Sequence, residues 1–379
     1  MYFKLNPECI FVVGESGSII CDSFNNKVYH LNKEETDLLI HAEKNNIIKC
    51  NDFYNNLENN CLGTYYEKLP YIPKLRNGII THTDEIEFNF KNFFLELNNE
   101  CYNECEYCAN RILKRSKGCF GCNVFDEKGE TLSLKNFYEI IECISNLGCE
   151  ELYLTGGNLF LVEEKLLKVL DYSKDKFKLI HVIISYKNIS KEFIDKLNDY
   201  FIDLIIQIDL IDFKKENLFY GENVSYLVIV PENNENLFYE TYDSINDVYC
   251  VPDFLSLNKS YNSNLNNNFE FTIDSFFHNL EFHPCLGKSI FISARGNIYP
   301  CPMFRTKLWG NVNELNLLKF LQENKHEIYN FWRLNLDYID GCDRCEFRYL
   351  CSDCRVLEEE FTEKVNSKML CSLSDFHGQ

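Results

Sequence analysis

Between residues 90 and 255, short apolar runs alternate with segments whose apolar residues recur every three to four positions. Residues 93–97, 151–154, 179–184, 204–208 and 226–230 are rich in Phe, Leu, Ile and Val, the pattern of strands covered on both faces. Behind Ser133, the residues Phe137, Ile140, Ile141 and Ile144 form an i, i+3, i+4, i+7 stripe that stops at Gly148. This predicts a capped amphipathic helix. Further helices are predicted over 162–170 and from Ser190, with Phe193, Ile194 and Leu197 on one face. Strands alternating with helices predict an α/β domain built on a parallel sheet, with its active site at the C-terminal strand ends.

The pattern differs on either side. Residues 10–13, 18–21 and 27–31 read as short strands separated by Gly14–Gly17 and by Asn25 and Asn26, followed by a helix over 33–45. Asn32 is placed to cap that helix, with Leu38, Leu39 and Ala42 inward. Pro70 and Pro73 mark a boundary, which gives a small α+β unit over 1–80 and the α/β unit over 81–280. From 281 to 379 come a hairpin around Gly296 (289–293 and 297–299), an acidic helical stretch and dense cysteines.

Composition narrows the function. A formal charge of −20 would repel a nucleic-acid backbone, so no nucleic-acid partner is expected. No apolar run approaches the roughly 18–20 residues of a membrane span. The first residues, with Lys4 and Glu8, do not read as a secretory signal. A cytoplasmic chain is expected, and in a reducing compartment its nineteen cysteines point to metal binding or catalysis rather than disulfides.

The first cysteine group, Cys101-x3-Cys105-x2-Cys108 with Tyr107 before the last cysteine, directly follows the first core strand. Three thiolates can hold three irons of a [4Fe–4S] cluster and leave the fourth open, and an open position distinguishes a reactive metal site from a structural one. The next strand runs into Leu154-Thr155-Gly156-Gly157-Asn158, whose glycines permit close backbone approach. Cys119 and Cys122 form a separate Cys-x2-Cys pair, of metal-binding, redox or incidental role. The second group is Cys285-x10-Gly296-x4-Cys301, then Cys342-x2-Cys345-x5-Cys351-x2-Cys354, then Cys371. A zinc ribbon on Cys342, Cys345, Cys351 and Cys354 is the alternative reading, but it leaves Cys285, Cys301 and Cys371 unexplained.

These motifs resemble the radical S-adenosylmethionine (SAM) peptide maturases that carry a C-terminal SPASM domain. The resemblance implies a partial (β/α)6 barrel, a leader-binding N-terminal unit and a SPASM iron–sulfur domain. It implies that Cys101, Cys105 and Cys108 hold a catalytic [4Fe–4S] cluster to which SAM binds, and that a 5′-deoxyadenosyl radical abstracts hydrogen from the substrate. Tyr107, Thr155, Gly156, Gly157, Asn158, Ser185 and Gln207 fall where the family approaches SAM. Asn158 stands where the family has a glutamate that contacts the SAM amino group, so that charge-assisted contact is lost. The resemblance also implies an outer auxiliary cluster on Cys342, Cys345, Cys351 and Cys371. An inner one uses Cys285, Cys301 and Cys354, with either an open iron or an added ligand such as His283. The last short spacing is x2, where the family has x3. The implied partners are a precursor peptide with its leader and an electron donor such as flavodoxin or ferredoxin. Two other readings stay open: an anaerobic sulfatase-type maturase that makes formylglycine, and a non-catalytic relative that binds the leader, suggested by Asn158.

Overall fold

The computed structural model describes residues 1–74, 88–103, 127, 129–214, 218–221, 223–231, 248–253, 271–351 and 353–368. The N-terminal segment contains β1 (Tyr2–Leu5), β2 (Cys9–Val13), β3 (Ser18–Asp22), β4 (Lys27–Leu31), α1 (Lys33–Glu43), α2 (Asp52–Asn59) and β5 (Gly63–Tyr66). β2, β3 and β4 form an antiparallel sheet in that order, and β1 pairs with β5. Asn32 caps α1 in a capping box with Glu35, which satisfies two otherwise orphaned amides. α1 buries Thr36, Leu39 and Ala42. Leu38, expected inward, is 38% exposed, because it lies about 100° round the helix from Leu39. The sheet is covered on both sides. Ile20 and Leu31 pack with Leu39, Ala42 and Tyr54 on one face. On the other, Val12, Ile19 and Cys21 meet Phe271, Phe276 and Leu350.

The main sheet has nine strands among the described residues. β6 (Asn92–Asn98), β7 (Glu151–Gly156), β8 (Leu179–Ser185), β9 (Asp203–Asp209), β10 (Val224–Pro231) and β11 (Val248–Asp253) lie side by side in chain order, all parallel. On the other flank of β6 lie β12 (Ser289–Ile292), parallel to it, then β13 (Asn297–Tyr299) and β14 (Gly310–Asn311), each antiparallel to the strand before it. β11, which contains Pro252, lies at the edge of the sheet among the described residues, a position that tolerates proline.

Strand side chains alternate with period two. Phe93, Leu95, Leu152, Leu154, Ile180, Val182, Leu204 and Ile206 form one core with α3 (Leu134–Asn146), α4 (Glu163–Ser173) and α5 (Lys191–Leu197). The opposite face carries Phe94, Glu96, Tyr153, Thr155, His181, Ile183, Ser185, Ile205 and Gln207. The C-terminal segment adds α6 (Ile273–Glu281), α7 (Leu317–Glu323), α8 (Lys325–Trp332) and α9 (Arg355–Thr362). No helix among the described residues is long and apolar enough to cross a membrane.

Candidate functional site

The loops leaving β6 and β7 at their C-terminal ends are hydrogen-bonded to each other. Gly157 N donates to Asn98 O at 2.6 Å, and Asn158 N donates to Glu100 O at 2.8 Å. Asn98 Nδ2 donates to the carbonyls of Glu100 and Asn158, both at 3.1 Å. A Cβ on Gly156 would overlap the Asn98 carbonyl oxygen and lie 3.1 Å from Asn98 N, so only glycine permits this approach. Cys101 follows at once, half-buried, and the Asn103 amide points at its sulfur at 3.4 Å. Cys105, Tyr107, Cys108, Cys119, Cys122 and Cys371 lie outside the described residues.

Thr155, Ser185 and Gln207 share the inner sheet face and are buried, and Ser185 stands opposite Gln207 in register. Ser185 Oγ accepts from Lys187 N and caps a short 3-10 turn. Asn158 is buried and has a comparable local task. Its Oδ1 accepts from Phe160 N at 3.1 Å and caps the turn Leu159–Val162.

The same face holds a charged group that sequence reasoning missed. Glu96 is almost fully buried; it accepts from Ala294 N at 2.9 Å and faces Arg305 Nη2 at 3.5 Å. Arg305 also pairs with Glu127, which accepts from Tyr299 OH at 3.1 Å and Asn297 Nδ2 at 3.2 Å. The guanidinium lies over Phe291, 4.4 Å from the ring centroid. Burial pushes the Glu96 carboxyl up, and Arg305 opposes it. The signal in the sequence was a lone carboxylate in the otherwise apolar run 93–97, since a charge inside a covered strand needs a partner. At the opposite strand ends, His181 lies between Asp203 (2.7 Å) and Glu151 (3.6 Å) and stacks on Tyr153.

Three cysteines of the second group, Cys285, Cys301 and Cys354, line one small pocket together with His283, Leu286, Met303, Arg355 and Val356. Three thiols from three separate segments therefore face one space. His283 is not available as a ligand. Its Nδ1 accepts from the amides of Cys285 and Leu286, both at 3.0 Å, and its Nε2 donates to Asp353 at 3.0 Å. Those bonds occupy both ring nitrogens. Among the described residues, no three His, Cys, Asp or Glu side chains converge on a single metal ion.

Beside the cavity, Asp353 binds Arg355, Lys368 (2.8 Å) and His283. Burial opposes ionisation of Asp353, but Lys368, His283 and Arg355 outweigh it and hold the carboxyl well below its usual value. Arg355 also donates to the Val365 and Ser367 carbonyls, at 3.0 and 2.8 Å. Cys342 and Cys345 are buried. Burial pushes the Cys342 thiol up, while Lys368 and Arg355 act in the opposite direction.

The N-terminal sheet docks directly on this cysteine segment. Glu15 N donates to Arg344 O at 2.7 Å, Arg348 Nη1 to Val13 O at 3.0 Å, and Ser16 Oγ to Glu346 at 3.2 Å. His30 stacks on Phe347 and faces Glu346 at 3.4 Å.

No family model and no curated protein matches the chain. Similar solved structures include SuiB of Streptococcus suis, at 15% identity and TM-score 0.46 over 96% of this chain and 98% of that one. SuiB bound to precursor peptide SuiA aligns over the same shares at 16% and 0.43. The native anSMEcpe with bound AdoMet and Cp18Cys peptide gives 13% and 0.48 over 76% of this chain and 94% of that one.

Proposed function

We propose that the chain is a radical SAM enzyme that modifies a ribosomally made precursor peptide, built as a partial (β/α)6 barrel with a SPASM domain. The observation that carries this reading is the position of Cys101. The Cys101-x3-Cys105-x2-Cys108 motif begins where the first of six parallel strands ends, beside the Gly156-Gly157 turn that is hydrogen-bonded to it. Ligands in parallel α/β folds gather at these strand ends.

The donor sets fit iron–sulfur clusters, whose protein ligands are cysteine thiolates. Cys101, Cys105 and Cys108 would hold the catalytic cluster. Cys285, Cys301 and Cys354, which line one cavity, would hold the inner auxiliary cluster, and Cys342, Cys345, Cys351 and Cys371 the outer. When bound, the catalytic cluster and SAM supply a 5′-deoxyadenosyl radical able to abstract a hydrogen atom.

The chain's own residues shape the site. Gly156 and Gly157 let backbone approach closely, and Thr155, Ser185 and Gln207 present polar atoms on the inner face. Asn158 lacks the charge for an ammonium contact, and its Oδ1 is engaged at Phe160 N. SAM is therefore held through the backbone and the remaining inner-face groups. Beside these cysteines, Lys368 and Arg355 are paired with the buried carboxylates of Asp353 and Glu358. The N-terminal sheet would take the leader as an added strand, using main-chain hydrogen bonds for affinity, and a flavodoxin or ferredoxin would deliver electrons.

The test is anaerobic co-expression with the precursor encoded beside the gene, followed by mass spectrometry. A mass change confined to the core peptide is expected. The capping role of Asn158 favours a second reading, a leader-binding relative without catalysis. That reading predicts leader binding with no mass change and no 5′-deoxyadenosine.

A further inference from the structure

The inner cavity presents three thiols, one fewer than the irons of a [4Fe–4S] cluster. Among the described residues, those lining it decide what could meet the fourth. His283 has both nitrogens engaged, at Cys285 N, Leu286 N and Asp353. Arg355 offers no lone pair and is bound to Asp353, Val365 and Ser367. Leu286 and Val356 are hydrocarbon. Met303 carries the one further sulfur among the described lining residues.

Met303 sits two residues beyond Cys301 in a tight turn. Phe304 N donates to Cys301 O at 3.2 Å, and Arg305 N donates to Met303 O at 3.0 Å. The side chain is buried, 5% exposed, in the cluster of Leu286, Cys301 and Phe304. The turn thus brings a soft thioether to the same space as the Cys301 thiol. Soft thiolate and thioether donors are those that iron–sulfur clusters select.

We propose that Met303 is the fourth protein ligand of the inner auxiliary cluster, giving it a Cys3Met donor set. The proposal rests on the assignment of Cys285, Cys301 and Cys354 as cluster ligands. A neutral thioether in place of a thiolate removes one negative charge from the cluster environment. The reduced form is then easier to reach, and one iron is held less firmly than the other three. That iron is shielded from small external ligands while Met303 is present.

The test uses the full chain with Cys101, Cys105 and Cys108 replaced by Ala, so that the open iron of the catalytic cluster does not confuse the readout. Protein reconstituted anaerobically is compared with its Met303→Leu and Met303→Cys forms by iron analysis, and by electron paramagnetic resonance with and without ¹³C-cyanide. Leu keeps the volume and the apolar packing and removes only the donor.

The expected result is cyanide coupling in Met303→Leu alone, with a loss of about one iron per chain on mild oxidation, the iron left without a protein ligand. Met303→Cys should keep its iron, resist cyanide and show a lower reduction potential. Identical spectra and iron content in the parent and Met303→Leu would overturn the assignment, since a packing role predicts that outcome. If Cys301→Ala, tested alongside, loses no iron, the inner cluster itself is absent, and both the cluster reading and the Met303 proposal fail.

Discussion

Replacing Arg305 by Met leaves two buried carboxylates facing each other. The Arg305 side chain is 15% exposed, Glu96 3% and Glu127 8%, so water screens the group weakly. Breaking a buried ion pair from one side costs about 3–5 kcal/mol, because the remaining charge stays uncompensated. With an unfolding entropy of about 2.1 cal/mol/K per residue, this corresponds to a loss of roughly 4–6 °C in Tm if the 379 residues unfold together.

The deficit should depend on pH. Burial raises the Glu96 pKa and Arg305 lowers it, so without Arg305 the folded-state pKa rises further. A carboxyl with a raised folded pKa binds a proton more readily in the native state, so stability increases as pH falls through that value. The gap between wild type and Arg305→Met should therefore be widest near pH 8. It should narrow toward the ordinary carboxylate range as Glu96 takes up a proton. Arg305→Lys should recover part of the loss, since it keeps the charge but not the planar fork. Thermal melts across pH 5–8 provide the measurement. A pH-independent change under 1 °C for Arg305→Met would refute the reasoning.

Gly156→Ala places a methyl group into the Asn98 carbonyl. Overpacking against backbone costs about 1–3 kcal/mol, and prising the two loops apart should lower SAM cleavage by about 100-fold, the cost of a 1 Å misplacement. A rate equal to wild type in a 5′-deoxyadenosine assay would contradict this. For His181, burial lowers the pKa, but Asp203 and Glu151 outweigh it and leave it raised. Its stabilisation is thus fully present below the unfolded value of about 6.5 and is lost as pH rises through the higher folded value. The Tm difference between wild type and His181→Gln should accordingly be largest near pH 5.5 and shrink in alkali. On Gly14, a Cβ would overlap the Glu346 carboxylate and lie 2.5 Å from Glu346 N. Gly14→Ala should therefore loosen the N-terminal sheet from the 344–348 segment, read as faster amide exchange at residues 13–16 and 344–348. Unchanged exchange would show that the contact yields without cost.

Much of this architecture is legible in the sequence, because long periodic segments declare themselves. The stripe Phe137, Ile140, Ile141, Ile144 forms the buried face of α3, and five apolar runs become β6 to β10. β11 escapes notice, since Pro252 within Val248–Asp253 argues against a strand unless the strand is known to be an edge. β1 and β5 are also hidden. They pair across some 60 residues of chain, and nothing local signals a partner so distant. The grouping of Cys285, Cys301 and Cys354 comes from the resemblance rather than from their spacing, and the three side chains line one pocket. The sequence could not reveal that His283 is held by Asp353 and two amides, because hydrogen-bond saturation is a property of tertiary packing. Nor could it reveal the pairing of Glu96 and Glu127 with Arg305, which joins three segments far apart in the chain.

The central claim is that Cys101, Cys105 and Cys108 support reductive cleavage of SAM. The direct measurement is 5′-deoxyadenosine formed under anaerobic reducing conditions, by reconstituted wild type and by Cys105→Ala, with iron counted in each. Wild type should form 5′-deoxyadenosine and hold roughly twelve irons, four for each of three clusters. Cys105→Ala should form none and keep roughly eight, because the auxiliary cysteines are untouched. Undiminished 5′-deoxyadenosine from Cys105→Ala, or a wild type with roughly four irons and bound zinc, would contradict the account.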